Sequence, residues 1–474
     1  MTARTYDAVV VGSGPNGLAA AVRLAECGHS VLVLEAAETV GGGTRSAELT
    51  LPGFVHDVCA AIHSLGVSSP ALSLDTLGQH GLRWLWPDVP LAHPLDGGRA
   101  GVLYRQVDET AAGLGADGER WRRLLKPLVD DWSLVLPQLL GPVLSVPRHP
   151  FALARFGVHA LQPATLQTRH FETEEGRALF GGCAAHAMLP LTRPLTAAFG
   201  LTLAASAHAD GWPVAAGGSQ AVADALWARL RELGGEVQTG TMVRSLADLP
   251  PHRVVLFDTN PGQLGSIAGD ALPARYRQRL RRFRHGAGAF KIDYALDAPV
   301  PWEHEACRRA GTVHAIGTFA EIVTAEADVA AGRMPERPFV LVVQPSIFDA
   351  SRAPAGKHTL WVYAHVPHGY TGDATVAIDR QIERFAPGFA STVLARRVTS
   401  PSDLQAYNAN YIGGDIAGGA HSGLQMVFRP TIAARPYATP NPSLFLCSAS
   451  TPPGAGVHGM CGWHAAERAL LALK

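Results

Sequence analysis

The apolar, β-branched run Ala8-Val9-Val10-Val11 predicts a buried strand that leads straight into Gly12-Ser13-Gly14-Pro15-Asn16-Gly17. Strong helix formers follow from Leu18 to Cys27, and Gly28 is placed to end that helix. Val31-Leu32-Val33-Leu34 predicts the next strand, which ends on Glu35. Strand, glycine loop, helix, strand and acid stand in the order that a dinucleotide site requires. Gly12 permits the tight turn, Gly14 lets backbone approach a pyrophosphate, and Gly17 lets helix and strand pack closely. Pro15 and Asn16 belong to the same loop, where the N–H groups of a helix start face an anion. Glu35 stands where a carboxylate accepts hydrogen bonds from ribose hydroxyls.

Similar punctuation recurs further on. Gly217-Gly218-Ser219 opens a helical run to Leu233, and Gly234-Gly235-Glu236-Val237-Gln238 leads on toward Val243. Val254 to Phe257 predicts a strand, as does Leu444 to Ser450. From Thr451 to Met460 a glycine-rich turn opens a final helix through Ala465-Ala466-Glu467-Arg468. Between these blocks, the stretch 77–210 is mostly helical by pattern, with turns at Pro147, Pro150 and Pro190. The stretch 291–424 predicts strands at Phe339 to Val343 and Thr359 to His365. Trp361, Tyr363 and His365 then share one strand face.

Composition narrows the chemistry. In 474 residues, 40 basic and 40 acidic side chains cancel, so no global field draws the chain to nucleic acid. Six cysteines form no C-x-x-C pair and no metal-ligand spacing with His, which disfavours a dithiol centre and a structural metal. A charged and then apolar leader is not seen before Tyr6, so the cytoplasm is the expected compartment. Trp132 to Val146 carries no charge but contains Pro137 and Pro142, and reads as a buried or an interfacial segment.

The residues after Glu35, with the pair Gly41-Gly42 and then Arg45, resemble the glycine-pair motif of the amine oxidase superfamily of FAD enzymes. Leu51-Pro52-Gly53-Phe54-Val55-His56-Asp57 and the Thr451 to Met460 ending resemble its phytoene desaturase and carotenoid isomerase branch. The resemblance implies an α/β protein with a Rossmann-like FAD-binding domain from residues 1–76, 211–290 and 425–474. A discontinuous α+β substrate-binding domain would be formed by residues 77–210 and 291–424. It also implies cofactor contacts from Gly41, Gly42, Arg45, Val243, Ser450, Gly456, Val457 and Met460.

The implied activity is hydride removal from an apolar small molecule to form a C=C bond, with electrons passing to oxygen or a quinone. Peripheral membrane contact accompanies that reading. His458 and His56 are the first candidates for a base, with His63, His186 and His208 behind them. Amine oxidation is the alternative, and the aromatic wall that amine oxidases place near Gly456 is missing. A redox-neutral flavin isomerase and a non-catalytic prenyl-binding carrier are further readings.

Overall fold

The computed structural model describes residues 4–142 and 145–474. Five short strands form one wholly parallel sheet in the order Leu444–Leu446, His252–Phe257, Tyr6–Val11, Val31–Leu34, Glu236–Gln238. Four of them are near-continuous apolar runs because helices cover both faces of the sheet. Pro15 occupies the first turn of the Pro15–Glu26 helix, where its missing N–H costs nothing, and the small face of Ala19, Ala20 and Ala21 is buried. That helix packs against the Met460–Leu473 helix so closely that a Cβ at Gly462 would stand 1.8 Å from the Asn16 carbonyl oxygen.

A seven-stranded sheet forms the second layer, ordered Val393–Thr399, Gly288–Leu296, His358–Val366, Val340–Val343, Ala310–Ala315, Val89–Leu95, Arg99–Leu103. Its pairs are antiparallel except where Ala310–Ala315 runs parallel to Val89–Leu95. Side chains alternate across it: Trp361 and Tyr363 join a core with the Glu174–Ala185 and Thr196–Ala209 helices. Leu360, Val362, Ala364 and Val366 pack on the other face with Ile378, Ile382 and Phe385 of the Thr375–Phe385 helix. The protein is thus α/β, with a Rossmann-like nucleotide-binding unit and a separate sheet-rich unit.

The strands expected at Phe339 to Val343 and Thr359 to His365 are present as Val340–Val343 and His358–Val366. The hairpin Val89–Leu95 and Arg99–Leu103 lies in the stretch read as mostly helical, where Pro90 and Pro94 hide the strand signal. The strand starting at Gly288 enters the second sheet three residues before position 291. Within Trp132 to Val146, residues 132–139 are helical, while residues 143 and 144 lie outside the described residues. Among the described residues, no helix is long and apolar enough to cross a membrane.

A buried ion pair ties distant segments together. Arg352 Nη2 donates to Asp57 Oδ2 at 2.7 Å, with both side chains fully buried. The other carboxylate oxygen accepts from Ser46 Oγ and the Ser219 N–H, and Arg352 Nε donates to the Val55 carbonyl. Removing one partner would leave a buried charge unpaired, so the pair holds the strand ending at Asp57 against the turn at Ala350–Arg352.

The contact between the first and last helices gives a direct check. Gly462→Ala is expected to destabilise the fold by about 1–3 kcal/mol through overpacking, read as a lower urea midpoint.

Candidate active site

The parallel strands all end on one edge, so Gly12, Glu35, Asp258 and Cys447 follow Val11, Leu34, Phe257 and Leu446 at a common level. Ligands of open α/β sheets bind beyond the C-terminal ends of the strands. The Glu35 carboxylate accepts from the Ser13 N–H and Oγ through Oε2, and from the Ala37 N–H through Oε1. Gly12 has φ +101°, and a Cβ at Gly14 would lie 2.5 Å from Asp258 Oδ2, so neither position admits a side chain.

Asp258 is the unexpected group. Its Oδ2 accepts the Gly17 N–H at 3.0 Å, which puts a carboxyl group at the helix start that the glycine loop reserves for an anion. Burial pushes its pKa up to about 7, and the Glu35 charge adds to this against the Gly17 and Gly14 N–H groups, which favour ionisation. Near neutral pH the group is therefore poised between an acid that donates and a carboxylate that repels anions.

From this loop a cavity of about 850 Å³ runs to the C-terminal turn and on into the second sheet. Its far wall is apolar and aromatic, with Leu139, Phe156, Phe199, Trp212, Trp361 and Tyr363. Glu35 and Asp258 are the acids that line it, and both belong to the glycine-loop end.

Four histidines line the cavity: His63, His186, His421 and His458. Burial holds His63 and His458 neutral with pKa values of about 4, and His186 with one of about 3. His186 Nε2 meets His314 Nε2 at 3.1 Å, so one proton is shared between two neutral rings. His458 Nδ1 accepts the Met460 N–H at 3.1 Å, which leaves the ring proton on Nε2 and makes the side chain a donor. His458 thus lines the cavity with Nε2 free of any protein partner. His56 is not among the lining residues, and its Nε2 pairs with Thr50 Oγ1 while Nδ1 faces Asp293. His208 also lies off the cavity, bonded to Trp121.

Of the residues expected to touch a cofactor, Gly12, Gly14, Pro15, Asn16 and Glu35 line the cavity at one end. Gly42, Arg45 and Val243 line it nearby, and Ser450, Gly456 and Val457 line it at the C-terminal turn. Gly17, Gly41 and Met460 do not line it. Gly17 gives its N–H to Asp258, Gly41 donates to the Ser13 carbonyl, and the Met460 N–H is taken by His458. Arg45 is not aimed at a free anion, since its Nε and Nη2 donate to the Thr39 carbonyl and it stands 3.3 Å from Glu35. Ser450 Oγ donates to the Gly418 carbonyl.

Sequence reasoning missed Asp258 and Arg429, both in the lining. The end of the Val254 to Phe257 strand is a signal that would have found Asp258. Arg429 follows no pattern of spacing. Among the described residues, no group of three His, Cys, Asp or Glu side chains is arranged to hold a metal ion.

Residues 10–74 match the family model described as an NAD(P)-binding Rossmann-like domain. Over 99% of its length the chain is 25% identical to the rat (Rattus norvegicus) protein named pyridine nucleotide-disulfide oxidoreductase domain-containing protein 2, covering 94% of that protein. It is 31% identical to the digeranylgeranylglycerophospholipid reductase of Methanospirillum hungatei, over 28% of this chain and 33% of that one. Among solved structures, wild-type putrescine oxidase bound to putrescine superimposes with a TM-score of 0.62 at 18% identity, covering 99% of this chain and 98% of the other. The chain therefore has the fold of the flavin-dependent oxidoreductases, built on a dinucleotide-binding Rossmann unit.

The raised pKa of Asp258 sets a sign for stability against pH. Folded protein holds the proton up to about pH 7, while the unfolded chain releases it near the ordinary aspartate value of 3.8, so this group lowers stability as pH rises between those values. Asp258→Asn keeps the acceptor for Gly17 and removes the effect. Its stability advantage over the wild type is expected to grow by about 2–3 kcal/mol between pH 5 and pH 8 in urea unfolding.

Proposed function

We propose that the protein is an FAD-dependent dehydrogenase that removes hydride from an apolar small molecule to form a C=C bond, oxygen or a quinone taking the electrons. One observation carries this reading: a single cavity joins the glycine loop and Glu35 to the C-terminal turn and to an apolar, aromatic wall. A dinucleotide along that path would meet Glu35 at its ribose and the N–H groups of the Pro15–Glu26 helix start at its pyrophosphate. The fit is supported by Gly42, whose Cβ would stand 3.0 Å from the Gly14 Cα, so two backbones frame the seat without side chains. The buried Asn16 Oδ1 has no partner in the protein and is free for a ligand donor. Flavin, when bound, supplies the hydride acceptor. The chain's part is to hold the substrate against it and exclude water, which the buried rings of Trp212, Trp361 and Tyr363 suit.

The same cavity disfavours the amine alternative. No acid lines the aromatic half, so an ammonium group would enter without a counter-ion. The lining histidines are held neutral by burial, and His186 Nε2 is already engaged with His314. The purified protein is expected to be yellow, and anaerobic addition of isoprenoid or polycyclic hydrocarbons to bleach its flavin absorbance. Bleaching by primary amines but not by these compounds would overturn the reading.

An apolar substrate needs a route from a lipid phase, and we infer that the Pro150–Ala160 helix supplies one. Phe151 is 88% exposed and Val158 64%, while Phe156 of the same helix lines the cavity. Arg148, exposed just before this helix, suits an anionic surface, while Arg155 is paired with Asp131. Co-sedimentation with vesicles containing phosphatidylglycerol is expected, and Phe151→Glu with Val158→Glu should reduce it by about fivefold or more.

A further inference from the structure

Arg429 is 2% exposed and lines the cavity at the C-terminal turn. Its Nη2 donates to the carbonyls of Gly418 and Gly419, at 3.3 and 3.0 Å. Nε is buried with no partner. Nη1 lies against Gly454, where a Cβ would stand 2.4 Å away. No carboxylate among the described residues forms an ion pair with it. The nearby Asp415 is committed instead to the N–H groups of Gly286 and Ala417 and to His285. A guanidinium stays charged even when buried, and buried charges are ordinarily paired. Here the guanidinium's hydrogen bonds go to neutral carbonyls, the Asp415 charge acts on it without contact, and an open cavity lies in front.

Two glycines keep that front open. Gly454 has φ +107° and Gly419 has φ +128°, and a Cβ at Gly419 would come 2.9 Å from Nη2. Both the conformation and the space exclude a side chain that would cover the guanidinium. Other polar groups near the turn are poor substitutes for a counter-ion. The thiol of Cys461 is pushed up to about 11 by burial and points at the carbonyls of Thr451 and Gly454, while His421 is neutral.

We propose that Arg429 is the anion-holding residue of the cofactor site, pairing with negative charge on the bound flavin dinucleotide. This rests on the functional reading above. The charge has two sources in one molecule: the pyrophosphate, which is always ionised, and the isoalloxazine ring, which gains negative charge at N1 and C2=O when electrons arrive. The Arg429 fork would satisfy with that group the hydrogen bonds the protein leaves unmade.

The test uses the FAD-loaded protein and two readouts besides turnover, FAD retention on ultrafiltration and the affinity of the flavin for sulfite, followed by loss of absorbance. Arg429→Gln is expected to lose at least about tenfold in one of them, and Arg429→Lys, which keeps the charge without the fork, to lose at least about threefold less than Gln. Weaker FAD retention assigns the pyrophosphate, and weaker sulfite binding with FAD retained assigns the ring. A folded Arg429→Gln protein unchanged in both, or a Lys variant as impaired as Gln, overturns the assignment. Should Arg429→Gln not fold, Gly454→Ala, which pushes the guanidinium aside, carries the same expectation and the same refutation. A wild type that takes up no FAD defeats the functional reading instead. Inorganic pyrophosphate then becomes the probe, and equal binding by wild type and Arg429→Gln overturns the anion assignment.

Discussion

No β-carbon can be placed at the two glycines that flank Pro15 and Asn16 at the start of the first helix. Cβ atoms at Gly14 and Gly17 would strike Asp258 Oδ2 and the Gly12 carbonyl oxygen, at 2.5 and 2.2 Å, and one at Gly462 would strike the Asn16 carbonyl. This exclusion of side chains lets the loop, the end of the His252–Phe257 strand and the last helix meet at one point. The rest of the site is arranged around that contact. Glu35 and Asp258 reach the loop because their strands end at its level, and the C-terminal turn closes over it because the last helix packs against the first. Enlarging any of these residues would move two or three cavity walls together, since close-packed interiors transmit such shifts.

The electrostatics of the cavity divide along the same line. At the glycine-loop end, two carboxyl groups are held by backbone N–H groups, and one of them titrates near neutrality. At the C-terminal turn, a guanidinium meets carbonyl oxygens alone. Beyond both lies a wall of aromatic rings and histidines stripped of charge by burial. Such a gradient from polar to dry suits a ligand charged at one end and reactive at the other, with chemistry carried out where water is least welcome.

How far this could be read from the sequence depends on whether the cause is local. Gly12, Gly14 and Glu35 were legible because the turn and the two strand ends impose residue types at fixed spacing. The Val89–Leu95 strand was not, because Pro90 and Pro94 mask an apolar run that its partner Ala310–Ala315 stabilises from more than 200 positions away. The role of His458 turns on which ring nitrogen meets the Met460 N–H, a matter of side-chain placement that no motif encodes. Asp57 belongs to the stretch Leu51 to Asp57 that carries the resemblance, but its partner Arg352, 295 positions away, stands outside any motif. Arg429 is the extreme case, because its significance lies in the partners it lacks.

The order of the parallel sheet has a consequence for biosynthesis. Its edge strand Leu444–Leu446 is added beside His252–Phe257, and the turn and helix that finish the cavity come later still. Strands of the second sheet, between residues 89 and 399, all leave the ribosome before that. The strands of the seven-stranded sheet are therefore all made before the cavity gains the wall that the C-terminal turn supplies. For most of its emergence the protein must keep the apolar faces of an unfinished first sheet from other chains, a period of exposure set by topology rather than by final stability.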